Sequence, residues 1–387
     1  MHNFVFHIPT EIYFGKGTQQ NIGKIAKQYG SRVLLLYGSE RVVKNGLLGE
    51  LTKNLQQEDI SVYKYGGIQA NPLLSKAKEI AKYAIEERIE LLIAVGGGSV
   101  IDTAKAVSIA AVNKADLWTY YEQGKEVPKA LPVGCVVTMA ATASEANCVS
   151  VLSHDSKKQK KMFAHPQLFP RFSILNPELT YTASPKQTAV GAIDIFSHAF
   201  ERYFCLEQRG TLRNKLCGAI MQTVVAELPK AMESPCDYDS RAQLMWAATM
   251  AHSDMIGTEG VFACHEMSHV LTEEYGLAHG VALAILMPAW LKFMLPWHMD
   301  LLAEFAREVW GEELKGCDDV EASQEGIFKM QQFIGRCHLP LSLHEAGINT
   351  RNSERLAEKL LTGRDYVGEA FEKINKEGAS IIFQMAE

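Results

Sequence analysis

The rhythm of hydrophobic and polar positions changes once along this chain. In the first half, continuous apolar runs alternate with amphipathic ones. RVLLLYG (32–38), SVYKYGG (61–67), LLIAVGGGS (91–99) and PVGCVVT (132–138) are β-rich runs bounded by glycine or proline. Continuous apolar runs of this length predict strands buried on both faces. Residues 41–58, 71–89 and 100–112 between them read as helical. Strands alternating with helices predict a mainly parallel sheet with helices on its faces.

After about Pro185 the strand signals nearly vanish. Segments 186–206, 211–232, 240–256, 260–275, 280–294, 299–309 and 322–336 are rich in Ala, Leu and Met and predict helices. The turn signals NPELT (176–180) and ASP (183–185) mark the junction. The expected organisation is an α/β domain over residues 1–184 followed by an all-α helical domain over 185–387. A length of 387 residues fits two domains.

Composition narrows the picture. Apolar residues make up 47% and charged residues 22%, the balance of a soluble globular protein. A formal net charge of −6 gives no support to nucleic-acid binding. The basic cluster KKQKK (157–161) reads as a solvated loop. None of the eight cysteines forms a C-x-x-C pair, and several lie in apolar runs, the pattern of reduced thiols. With no signal peptide and no apolar run long enough to span a bilayer, the expectation is a cytoplasmic protein that engages neither membrane nor nucleic acid.

Candidate chemistry begins at VGGGSVIDTAK (95–105), between a strand and a helix. Glycines let a backbone approach a phosphate, and a helix N-terminus offers free N–H groups and a positive dipole end. Ser99 and Asp102, three apart, suit an N-terminal cap. Ile101 stands where G-x-G-x-x-G needs its last glycine, so the ordinary dinucleotide fingerprint is absent. A tight turn without a ligand would look similar; the position at the end of a parallel strand favours a ligand. TMAATASE (138–145), after the next strand, is a weaker candidate.

Five residues of the second half form a possible metal site. Asp194 and His198 are four apart, as are His265 and His269, and His279 follows ten residues later. Residues at i and i+4 share a helix face. One carboxylate and three imidazoles from this set could hold Fe²⁺ or Zn²⁺. Taken singly, each feature is no more than a core histidine or an intrahelical hydrogen bond. The other eight histidines read as structural or surface residues. His265-Glu266-Met267-Ser268-His269 also spells H-E-x-x-H, the zinc-peptidase motif with a glutamate base. The longer peptidase pattern fails, because Thr272 and Tyr275 occupy the places of its glycine and third histidine.

Over nearly its whole length the chain resembles the iron-containing (group III) alcohol dehydrogenases, nearest to the butanol dehydrogenase and NADPH-dependent aldehyde reductase branch. The resemblance rests on P-T-x-I-x-F-G-x-G (Pro9 to Gly17), K-N-G-L (44–47), N-P (71–72) and GGGSVIDTAKA (96–106). It continues through Thr138, Thr142, Ser144 and Glu145, PRFSILNP (170–177), the two histidine-bearing segments and AHGVALAILMPAW (278–290). It implies a nucleotide-binding α/β domain followed by a helical metal-binding domain, the dehydroquinate synthase-like architecture. It implies hydride transfer between NAD(P)(H) and a primary alcohol/aldehyde pair, and a homodimer. The family's metal ligands fall on Asp194, His198, His265 and His279; His269 matches a histidine near the nicotinamide that could move a proton. Pyrophosphate contacts fall on Gly97, Gly98 and Ser99, beside Asp102. Other cofactor contacts fall on Asn71, Thr138, Thr142 and Lys160, with Gly38 and Ser39 after the first nucleotide-binding strand. Ser39 stands where NAD-preferring members often carry Asp, and Arg41 is close by, so the expected cofactor is NADP, with NAD possible and Glu40 able to take the Asp role. Ala143 replaces the family's frequent glycine. A glycerol dehydrogenase- or dehydroquinate synthase-like enzyme is the alternative on this fold, and a metallopeptidase using Glu266 the alternative of another class.

Overall fold

Three of the apolar runs of the first half become inner strands of a six-stranded, fully parallel sheet, whereas SVYKYGG forms an edge strand that is only partly buried. The computed structural model describes residues 5–157, 159–205, 211–257, 260–349 and 352–387. They divide into two units, Val5–Ala183 and Ser184–Glu387. In the first unit the strands are β1 (Glu11–Phe14), β2 (Arg32–Tyr37), β3 (Ser61–Tyr65), β4 (Leu91–Gly96), β5 (Val133–Val137), the hairpin β6 (Val149–His154) and β7 (Gln159–Ala164), and β8 (Phe172–Leu175). Helices α1 (Ile22–Ala26), α2 (Arg41–Lys44), α3 (Leu47–Gln56), α4 (Leu74–Glu86), α5 (Gly98–Ala110) and α6 (Leu117–Gln123) connect them. The sheet order is β1-β8-β5-β4-β2-β3, with β6 and β7 paired apart from it. Leu91 to Val95 and Val33 to Leu36 are wholly buried, as strands covered on both faces require.

The second unit is helical: α7 (Pro185–Tyr203), α8 (Leu212–Glu233), α9 (Tyr238–Ala251), α10 (Ala263–Tyr275), α11 (His279–Trp310), α12 (Asp319–Arg336), α13 (Ser353–Leu360) and α14 (Lys376–Met385). Helix α7 starts where its sequence dictates. Ser184 caps it, Pro185 occupies the first helical position, and Gln187 returns a side-chain bond to the cap backbone.

Residues 280–294 and 299–309 lie along α11, and non-helical dihedrals at His298, just after Pro296, kink it into the two helices expected. Other expectations are corrected. By length and composition α11 could cross a membrane, contrary to the reading that no run is long enough. However, 72% of its most apolar stretch is buried inside the fold, as in a core helix. Of the basic cluster, Gln159, Lys160 and Lys161 lie in β7 rather than in a loop; Lys158, like His2, is outside the described residues. The patterns of β1, the hairpin, α13 and α14 are too short to stand out in the sequence.

Candidate functional site

The cofactor candidates lie in the first unit, mostly at the carboxyl ends of its strands. Gly38 and Ser39 follow β2, Asn71 lies between β3 and α4, Gly97 to Ser99 follow β4, and Thr138 follows β5. Strands β2 and β4 are neighbours whose onward connections run to opposite sides of the sheet, to β3 and to β5. Such a switch point opens a crevice where ligands bind in open α/β sheets. Helix α5 begins there at Gly98, and the N–H groups of Gly98 and Ser99, ahead of the first bond back to Gly97 from Val100, point out of the helix start, which suits a phosphate.

The glycines make this cradle possible. A Cβ at Gly98 would stand 2.5 Å from Thr142 Oγ1, and one at Gly38 would stand 2.8 Å from the Ile68 carbonyl. Asn71 takes a left-handed φ of 55°, which its short polar side chain tolerates, and Lys160 Nζ donates to its Oδ1 at 3.2 Å. Ala143 also takes a left-handed conformation, φ 49° and ψ 20°. Here the chain keeps the backbone that glycine adopts freely and bears a cost of about 1 kcal/mol for its Cβ.

The expected Ser99–Asp102 cap is absent. The cap residue of α5 is Gly97, which makes no side-chain cap bond. Asp102 instead accepts from Ser144 Oγ at 2.7 Å. Beneath it lies the wholly buried Lys105. Its Nζ donates to Ser144 Oγ at 2.9 Å, to the Asn147 carbonyl at 2.9 Å, to Asn147 Oδ1 at 3.1 Å and to the Val149 carbonyl at 2.8 Å. This network ties α5 to the loop of Thr142 and Ser144. Burial pushes the Asp102 carboxyl up to about 6, against the pull of the Lys105 charge. Burial likewise lowers the Lys105 ammonium.

The metal candidates lie in the second unit, on three helices. Asp194 and His198 share one buried face of α7, His265 is in the first turn of α10, and His279 is the first residue of α11. His279 reaches Asp194 because Gly280 lets α11 touch α7: a Cβ at Gly280 would stand 2.2 Å from the Val190 carbonyl oxygen. Around Asp194 Oδ1 stand His279 Nε2 at 3.4 Å, His198 Nδ1 at 3.9 Å and His265 Nε2 at 3.9 Å. Ser268 Oγ lies 3.0 Å from His279 Nδ1, behind that ring. His269, one turn beyond His265, is not in the tight donor group of Asp194, His198 and His265, and its ring lies 5.5 Å from that of His279.

These side chains fit a divalent cation. The donors of Asp194, His198 and His265 lie within 4.8 Å of one another. Ligands about 2.1 Å from a tetrahedral ion are about 3.4 Å apart, so small movements close the set. His198 Nδ1 and His265 Nε2 are buried and make no hydrogen bond among the described residues. Buried polar atoms are rarely left so without a role. Burial, followed by the neighbouring histidines and Arg202, holds His198 well below the usual imidazole range. It is therefore the neutral ring a metal needs.

Three residues passed over in the sequence belong to these surroundings. Glu201 accepts from His265 Nδ1. His252, read as structural or surface, stacks on His198 with ring centroids 4.1 Å apart, and Arg202 Nη2 lies 3.3 Å from its Nδ1. The available signal was the charged pair Glu201-Arg202 inside the apolar helix sequence IFSHAFERYF. Glu266, the base required by a peptidase, is ion-paired with Arg364.

Comparison with known proteins gives one answer over both units. Residues 9–177 match the model of the iron-containing alcohol dehydrogenases, and residues 188–386 match that of the C-terminal part of the same family. The NADH-dependent butanol dehydrogenase A of Clostridium acetobutylicum is 33% identical, with 99% of each chain covered. The NADPH-dependent aldehyde reductase of Escherichia coli is 35% identical over 93% of each. The crystal structure of NADH-dependent butanol dehydrogenase A from Thermotoga maritima superposes with a TM-score of 0.93 at 32% identity, covering 100% of this chain and 99% of that one. The chain therefore belongs to the iron-containing alcohol dehydrogenase family, as an NAD(P)-dependent oxidoreductase of alcohols and aldehydes that works with a divalent metal.

Proposed function

We propose that the protein interconverts a primary alcohol and its aldehyde with NADPH as the preferred coenzyme, using Fe²⁺ or Zn²⁺ held by Asp194, His198, His265 and His279. The observation that carries this reading is the ring of three imidazoles around the Asp194 carboxylate. When bound, the metal supplies Lewis acidity toward the alcohol or carbonyl oxygen, and the nicotinamide accepts or supplies the hydride. The chain's own residues do the rest. Asp194 contributes the one negative charge of the set, and the three histidines contribute neutral donors. His269 gives or takes the hydroxyl proton on a ring nitrogen. The N–H groups of Gly97, Gly98 and Ser99 hold the phosphates, with Thr138, Thr142, Asn71 and Lys160 around the rest of the coenzyme.

The NADP preference is supported by the exposed, uncharged Ser39 after β2, which repels no 2′-phosphate, and by Arg41 two residues on. Arg41 donates to the Thr182 carbonyl at 2.8 Å. The eight free cysteines support a reducing compartment such as the cytoplasm, and the homodimer expected of the family belongs to the same proposal.

The test is turnover of short primary alcohols and aldehydes with NADPH and NADH, by the wild type and His265→Ala after loading with Fe²⁺ or Zn²⁺. The wild type is expected to show the higher kcat/KM with NADPH. His265→Ala is expected to lose metal and about 10³-fold or more in turnover, several kcal/mol of transition-state stabilisation. A variant with normal metal content and activity would remove the proposed site. A preference for NADH would assign the ribose contact to Glu40.

A further inference from the structure

Glu201, on the helix that bears Asp194 and His198, is only 2% exposed. Its carboxylate accepts from the backbone N–H of Cys264 at 2.6 Å, from that of His265 at 3.2 Å, and from His265 Nδ1. Its own carbonyl accepts from Val261 N at 2.9 Å. One residue of α7 thus holds the entry to α10, whose cap residue Phe262 makes no side-chain cap bond.

A carboxylate only accepts, so the His265 proton lies on Nδ1 and the lone pair on Nε2. That lone pair faces Asp194 Oδ1 across 3.9 Å and makes no hydrogen bond among the described residues. Two acceptors facing each other repel, whereas a cation between them would be bound by both. A plain helix cap would need only the two backbone bonds; the third, to Nδ1, acts on the ligand itself.

We propose that Glu201 is a positioning residue for the metal: it fixes His265 in the Nδ1–H tautomer and aims Nε2 at the ion. This rests on the metal-site reading above and adds the group that makes one ligand ready. Partners of this kind behind a ligating histidine are worth about 10- to 100-fold in metal affinity.

The test compares apoprotein of the wild type, Glu201→Gln, Glu201→Asp and His265→Ala in Zn²⁺ and Co²⁺ binding, by competition with a chromophoric chelator. NADPH binding is followed in parallel by fluorescence. Nitrogen NMR of histidine-labelled wild-type apoprotein reports the His265 tautomer, with His265→Ala supplying the assignment. Glutamine keeps the size and a carbonyl oxygen for the backbone N–H groups but replaces the carboxylate behind Nδ1. Glu201→Gln is expected to bind metal about 10- to 100-fold more weakly with NADPH binding unchanged, and Glu201→Asp to fall between it and the wild type. His265 is expected as the Nδ1–H tautomer. Wild-type metal affinity in Glu201→Gln, or an Nε2–H tautomer in the wild type, overturns the proposal; the second result decides even if the variant does not fold. If His265→Ala binds metal normally, the site reading fails. If it loses metal while Glu201→Gln does not, only the role of Glu201 fails.

Discussion

At the scale of single residues, the half-buried Asp102 and the wholly buried Lys105 show how the coenzyme side of the protein balances position against charge. Lys105 is wholly buried with four acceptors around its ammonium, and its neighbour Asp102 has a carboxyl pushed up to about 6. Folded Asp102 keeps its proton to higher pH than an unfolded aspartate does. The stability it lends is therefore full below about pH 4 and is lost as pH rises through about 6. Asp102→Asn has no such proton to lose. Relative to the wild type, the variant is expected to gain about 2–3 kcal/mol between pH 4 and pH 7 in urea unfolding. A difference that stays constant across that window would mean that Asp102 titrates as in water. The sequence showed Asp102 as a cap candidate beside the pyrophosphate contacts and Lys105 as an ordinary member of the helix. Their shared bonds to Ser144, 39 residues from Lys105, could not be read from spacing.

At the scale of elements, the helices that carry the metal candidates were legible because their segments are long and rich in Ala, Leu and Met. Helix α7 has its capping box written in SPKQ, and the i, i+4 pairs declare which residues share a face. What brings two helices together was hidden in Gly280, which looks unremarkable in AHGVALAILMPAW. Its lack of a side chain matters only because the Val190 carbonyl passes 2.2 Å from where a Cβ would be. Gly280→Ala must push α11 off α7 and so pull His279 away from Asp194. The expected cost is about 1–3 kcal/mol in urea unfolding, together with weaker metal binding. Unchanged values of both would show that the helices have slack at this crossing. Short elements were lost to the sequence reading for a related reason. The four residues of β1 and of β8 hold too few positions for a period, although they pair along their whole length.

At the scale of the whole molecule, the chain separates its chemistry. Every coenzyme candidate lies within Val5–Ala183 and every metal candidate within Ser184–Glu387. Hydrogen exchange can test the division. Stripping the metal with a chelator is expected to speed exchange in α7, the first turns of α10 and the start of α11. Restoring it to about 100 times its dissociation constant should recover about 2.7 kcal/mol of protection wherever exchange needs the site to open. Equal effects on β4 and the start of α5 would contradict a metal site confined to the helical unit.

The sequence by itself determined the class of this protein. Alternation of buried strands with helices, then helices alone, follows from local periodicity, and the histidine and aspartate spacings follow from the helix repeat. Those are short-range rules, and they hold wherever the segment ends up. Only the tertiary structure decided which side chains from different helices meet. It put His279 beside Asp194 and left His269 outside the group, placed the Glu201 carboxylate behind His265, and turned Asp102 from a helix cap to Ser144. Each depends on backbone approaches between residues far apart in the chain, set by the packing of whole helices, and no spacing within one segment encodes them.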